Sequence, residues 1–200
     1  MLVAPAKLNL TLEVLARRPD GLHGVRSVMV PVDICDRLHV TPANEFAFSC
    51  SRDDLARDNI VERAQAALHA ASPFAVRLEK NIPTGAGMGG GSSDAAALLL
   101  AAANGMLGDV APADFLALAR SLGSDVPFFL VQAPAIVEGT GERVTALGSP
   151  PPWHAVVVQP PVAVSTAWAY ARLDETERPS RARNTSVSLQ LGEALQRREF

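Results

Sequence analysis

Lysine is nearly missing from this chain: its 200 residues hold only Lys7 and Lys80, against 16 arginines. Cysteine is as scarce. Cys35 and Cys50 stand alone, with no Cys-x-x-Cys pair and no Cys/His cluster, which argues against a zinc site or a disulfide framework. No apolar run is longer than Ala95–Ala103, about half of what a membrane span needs. There is no excess of positive charge either. A net charge of -3 and a pI near 5.8 speak against broad nucleic-acid binding, which shows a basic face. The first residues carry no basic stretch followed by an apolar core and a cleavage site, so a cytoplasmic location is expected. The preference for Arg over Lys resembles a high-GC bacterial coding bias and carries no functional signal. What is present is ordinary for a globular protein: 48% hydrophobic and 20% charged residues, enough to bury a core and too apolar for disorder.

The pattern along the chain predicts an α+β fold, with runs of strands and interspersed helices rather than regular βαβ alternation. Lys7–Leu15 alternates, with Leu8, Leu10, Leu12 and Val14 on one face and Lys7, Asn9, Thr11 and Glu13 on the other. A Pro-Asp-Gly turn follows, then strands over Val25–Val32, Arg37–Val40 and near Phe46, with short connections that favour antiparallel pairing. Asp58 is expected to cap a helix over Asn59–Ala71, and Phe74–Glu79 alternates as a strand. Ser92–Met106 is apolar almost all round, as a buried helix is. Pro112 opens a helix to Leu122, closed by Gly123. Short strands are expected at Phe128–Val131, Ala135–Glu138, Arg143–Ala146 and His154–Val158, and helices at Thr166–Leu173 and Ser186–Arg198. Ser149–Pro152 and Glu177–Arg183 read as connectors.

The loop Pro83-Thr84-Gly85-Ala86-Gly87-Met88-Gly89-Gly90-Gly91-Ser92-Ser93 runs straight into that apolar helix. So many glycines cost backbone entropy, which is useful where the backbone must approach a ligand and aim several N–H groups at one spot. At a helix N-terminus those donors and the helix dipole make an anion site, so the loop reads as phosphate-binding. It is not a Walker A loop, since no Lys-Ser/Thr follows the glycines. Nor is it a Rossmann turn, for lack of the parallel βαβ context and the acidic residue.

Pro5–Leu10, Pro83–Ala96 and Gly123-Ser-Asp-Val-Pro-Phe128 together resemble the GHMP kinase superfamily. Pro19-Asp-Gly-Leu-His23, Gly139-Thr-Gly-Glu142 and Asn184-Thr185 narrow the resemblance to the branch that acts on 4-diphosphocytidyl-2-C-methyl-D-erythritol. The resemblance covers essentially the whole chain. It implies an N-terminal ATP-binding domain of the ribosomal S5 domain 2-like type over residues 1–150 and the start of a C-terminal GHMP kinase domain over 151–200. It implies ATP-dependent phosphorylation of the substrate's 2-hydroxyl, with ATP and Mg²⁺ as cofactors and no nucleic-acid or membrane partner. No compact carboxylate cluster is present, so no metal ligand is assigned by number and the ion is left mainly to the ATP phosphates and a loop serine, Ser92 or Ser93, which could otherwise cap the helix. A further Gly-Ser-Gly-like segment of the family is not found, and an incomplete chain with apolar surface exposed on its last helix is expected.

Phosphoryl transfer needs clamped phosphates, a metal ion and a group to take the hydroxyl proton. By resemblance that group is Asp125, expected in a loop and aimed by Pro127, which biases Val126 to an extended form. Lys7, on the polar face of the first strand, is its partner, there to polarise the hydroxyl. Asn9 contacts substrate or holds Lys7. The resemblance places His23 and Tyr170 at the cytosine end, with Thr166 a weaker contact, while Leu22 stands where the family has a stacking tyrosine. Asn59 is either an adenine contact or a helix cap, and Glu142 is a turn residue sooner than a metal ligand. Two alternatives stay open: another GHMP kinase of homoserine or mevalonate type, and a nucleotide-binding module without catalysis.

Overall fold

A computed structural model describes residues 1–112, 114–148, 153–160, 162, 164–175 and 186–197. The connectors at 149–152 and 177–183, and Asn184-Thr185, lie outside the described residues. The architecture is α+β, as expected. One sheet holds every described strand, and the long strand β3 (His23–Pro42) runs through its middle. β1 (Leu2–Asn9) and β2 (Glu13–Arg17) pair antiparallel with β3, as do β5 (Phe74–Glu79) and β6 (Ala135–Gly139). β7 (Arg143–Ala146) extends the sheet beyond β6, and β4 (Ala47–Cys50) pairs parallel with β5 at the other edge. The two strands expected between Val25 and Val40 are thus one continuous strand, because both halves find partners on each side.

Helices α1 (Ile60–Leu68), α2 (Gly90–Ala103), α3 (Phe115–Leu122) and α4 (Val126–Val131) cover one face. Between them and the sheet lies the main core, with Leu38, Leu78, Leu98, Leu99, Val126 and Phe128 almost wholly buried. α2 is buried from Ser93 to Leu99, which explains a sequence with hardly any polar face. α5 (Thr166–Glu175) follows, and α6 (Val187–Arg197) packs on the opposite face, where Leu195 meets Val28 and Leu147.

Several expectations change. The strand predicted over Lys7–Leu15 breaks after Asn9, and its leucine face is not the core: Leu10 is 39% and Leu12 55% exposed, while Lys7 is buried. The β1–β3 register shifts between Pro5 and Ala6, and Ala6 and Lys7 are buried in succession, which breaks the alternation. Asp58 does not cap α1. It has φ +54°, and Asn59 is the cap, in a reciprocal box with Glu62. Residues 126–131 are helix, not strand, so Val126 is not extended: Pro127 lies in the first turn of α4, where a missing N–H costs nothing. Residues 153–160 form no strand. Among the described residues no neighbouring strand pairs with them, and Val156 and Val158 stand open to solvent. α6 exposes Val187 and Leu189 but packs Leu191 and Leu195, so much of its apolar surface is covered.

Candidate active site

The Gly-rich loop closes over the edge of β1. The Lys7 N–H donates to the Met88 carbonyl at 2.9 Å, so the loop continues the sheet for one bond. Gly89 is the N-cap of α2, with φ +71°. A Cβ there would lie 2.9 Å from Phe129 Cζ and 3.1 Å from Lys7 Cγ, so backbone conformation and space both demand glycine. The first intrahelical bond runs from the Ser93 N–H to the Gly89 carbonyl at 2.9 Å. The N–H groups before it have no partner inside the helix, which leaves them to serve an anion at the positive end of α2. No serine caps this helix. Ser92 is half-buried, and Ser93 is buried with its hydroxyl unpartnered. A cavity of about 260 Å³ opens here, lined by Pro83–Gly91 and, across it, by Arg57, Asn59, Lys80 and Asp94.

Lys7 projects from the far side of the loop to Asp125, Nζ to Oδ2 3.7 Å, with the lysine 8% and the aspartate 31% exposed. The lysine is therefore fixed and the carboxylate accessible. Lys7 Nζ also donates to Asn9 Oδ1, and Asn9 Nδ2 donates to Ser27 Oγ at 2.7 Å. Asn9 thus holds Lys7, one of the two roles foreseen for it. Asp125 sits at the N-cap of α4 after a turn closed by the Val126 N–H and the Gly123 carbonyl, 3.2 Å. The turn after β6 buttresses it. Gly141, at φ +116°, packs so closely on the Ser124 carbonyl that any Cβ would clash. Glu142 folds back to accept from the Thr140 N–H and hydroxyl, a turn residue as expected.

At the other end of this surface, His23 and Tyr170 stack with ring centroids 5.7 Å apart and planes 19° off parallel. His23 is held at both nitrogens, Nδ1 3.0 Å from the Leu15 carbonyl and Nε2 2.8 Å from Asp174 Oδ1. Burial pushes the Tyr170 hydroxyl pKa up, and the charge of Asp125 adds to it, which ties this aromatic end to the Lys7–Asp125 pair. Leu22 is exposed beside them. Thr166 is the first residue of α5. Asn59 lines the loop cavity, but both ends of its amide are used: Oδ1 accepts from Val61 N–H and Nδ2 donates to the Leu55 carbonyl.

A model of the GHMP kinase N-terminal domain matches residues 56–133, the stretch that holds the Gly-rich loop and Asp125. The 4-diphosphocytidyl-2-C-methyl-D-erythritol kinase of Geobacter sulfurreducens is 41% identical over 191 residues, 91% of this chain and 68% of that one. The chain belongs to the GHMP kinases. The enzyme of the same name from Symbiobacterium thermophilum is 47% identical over 178 residues, 85% of this chain and 63% of its own length. A crystal structure of a 4-(cytidine 5'-diphospho)-2C-methyl-D-erythritol kinase superposes with a TM-score of 0.79 at 39% identity, over 98% of this chain and 70% of that one. The chain thus spans 63% of the Symbiobacterium relative. Within this GHMP kinase, sequence reasoning overlooked a buried group at the loop: Asp36, Lys80 and Asp94. The available signal was Lys80 itself, one of two lysines in an arginine-rich chain, placed directly before the loop.

Proposed function

We propose that this chain is part of a 4-diphosphocytidyl-2-C-methyl-D-erythritol kinase, which transfers the γ-phosphoryl group of ATP to the substrate's 2-hydroxyl in isoprenoid precursor biosynthesis. In this reading residues 1–150 are the ATP-binding part and 151–200 begin the second domain. The observation that carries it is the Lys7–Asp125 pair packed against Gly89 of the loop, because it joins a proton acceptor to an anion site. The loop N–H groups and the α2 terminus hold the phosphates, and Lys7 orients the attacking oxygen. That oxygen bonds to the γ-phosphorus, its proton passes to Asp125, and ADP leaves with the electrons of the broken P–O bond. The stacked His23 and Tyr170 support a pyrimidine ring at the far end. Among the described residues no three His, Cys, Asp or Glu side chains converge, so the fit for Mg²⁺ is through the ATP phosphates, whose charge it would neutralise. The free thiols of Cys35 and Cys50 suit a reducing cytoplasm, and no helix of the described residues is long and apolar enough to cross a membrane.

The test is turnover of the diphosphocytidyl alcohol with ATP, read by phosphorus NMR, beside homoserine and mevalonate. A new phosphomonoester resonance from the first alone supports the proposal. Preference for either other alcohol overturns the substrate, and nucleotide binding without any turnover supports a non-catalytic module. Asp125→Asn should lower kcat by roughly 10²–10⁴ with ATP affinity near normal. A kcat within about threefold of the unaltered chain would remove Asp125 as the base.

A further inference from the structure

The buried cluster at the loop is not used by the phosphoryl-transfer chemistry. Lys80, the residue after β5, points its ammonium at Asp36 on β3 and at Asp94 on α2, with Nζ 2.8 Å from Asp94 Oδ2. The three side chains are 6%, 0% and 1% exposed. Asp36 Oδ1 accepts from the N–H groups of Asn81 at 2.5 Å and Ile82 at 2.8 Å, which are the entrance to the Gly-rich loop. Asp94 stands in the second turn of α2, which is the exit from it. One ammonium therefore ties both ends of the loop to the sheet.

The loop presses on this cluster. A Cβ on Gly90 would lie 3.0 Å from Lys80 Nζ and 3.3 Å from Asp36 Oδ2. Lys80 and Asp94 also line the loop cavity, and Asp94 Oδ1 is buried with no hydrogen-bond partner. Stability alone is a poor account of such a group. Buried ion pairs are often no better for folding than apolar side chains of equal volume. A cation beside the first turn of a helix also opposes the dipole.

We propose that Asp36, Lys80 and Asp94 are positioning residues for the nucleotide: the shared ammonium holds the Gly-rich loop in the arrangement that presents its N–H groups to a triphosphate. They act through the loop and touch no reacting atom. The proposal rests on the reading of the loop as the ATP site. Its physical content is preorganisation, since a loop fixed beforehand loses less conformational freedom on binding.

Calorimetric titration of the full chain with the analogue AMP-PNP tests it, together with steady-state kinetics. Lys80→Met should weaken AMP-PNP and raise KM for ATP about tenfold, with kcat at saturating ATP and KM for the alcohol within about threefold. If two unpaired carboxylates prevent that variant from folding, Lys80→Met/Asp94→Asn removes one charge and should fold yet still bind weakly. AMP-PNP affinity within about threefold of the unaltered chain in the folded variant overturns the proposal, even if the melting temperature drops, because only a structural role is then left. Failure of the unaltered chain to bind AMP-PNP overturns the reading of the loop itself, and the proposal with it.

Discussion

Burial pushes the Asp94 carboxyl from 3.8 up to about 7; the Lys80 ammonium opposes the shift and Asp36 adds to it. A carboxyl whose pKa is higher in the folded chain than in the unfolded one favours folding fully below the unfolded value. That contribution is lost as pH rises through the folded value. The window here runs from about 4 to about 7. Asparagine keeps the shape and cannot ionise. The melting temperature of the unaltered chain, measured relative to Asp94→Asn, should therefore fall between about pH 4 and about pH 7 and level off above that. A difference that stays constant over that range would show that Asp94 does not titrate there. Lys80 has its pKa raised by its two carboxylates in spite of burial, so it stays charged across this window and leaves Asp94 as the variable member.

Among elements, α6 depends on a distant side chain at its start. The Glu13 carboxylate, on β2, accepts from the Ser186 hydroxyl and from the N–H groups of Val187 at 3.2 Å and Ser188 at 3.4 Å, so it caps a helix 173 residues away. Burial would raise its pKa, yet the hydrogen bonds from Ser186, Ser188 and Val187 win and lower it. A lost cap costs about 1 kcal/mol. Glu13→Ala should thus lower the melting temperature by roughly 2–4 °C. It should also speed hydrogen exchange in α6 ahead of the rest; unchanged α6 exchange would refute the capping role. No local pattern foretells this contact, because capping by a residue far along the chain leaves no spacing to read. α4 was hidden for another reason. Its six residues, Val126–Val131, are apolar throughout, and a run that short has no period to separate strand from helix. The opposite holds for Phe74–Glu79 and Arg143–Ala146, whose limits agree with those expected from the sequence.

Across the whole molecule, Phe128 joins α4 to the main core at 1% exposure. Truncation to alanine should cost about 3–5 kcal/mol, measured as a lower urea midpoint with little change in slope. A loss under about 1 kcal/mol would mean that the site collapses around the missing ring. The sequence by itself determined the α+β class, the apolar helix behind the Gly-rich loop, and the joint presence of Lys7, Asp125, His23 and Tyr170. The first two rest on local composition and spacing, which survive without knowledge of neighbours; the four side chains were singled out by the resemblance of their motifs to a known family. Tertiary structure alone decided which face of the first strand is covered. The leucine face looked like the core, but the loop and Asp125 close over the lysine instead. It also showed that Asn9 bonds to Lys7 and that Asn59 caps α1. Finally, it brought Asp36, Lys80 and Asp94 to one point under the loop. Those charges come from β3, the end of β5 and α2, and only sheet pairing and helix packing can bring groups so far apart in sequence within hydrogen-bond reach.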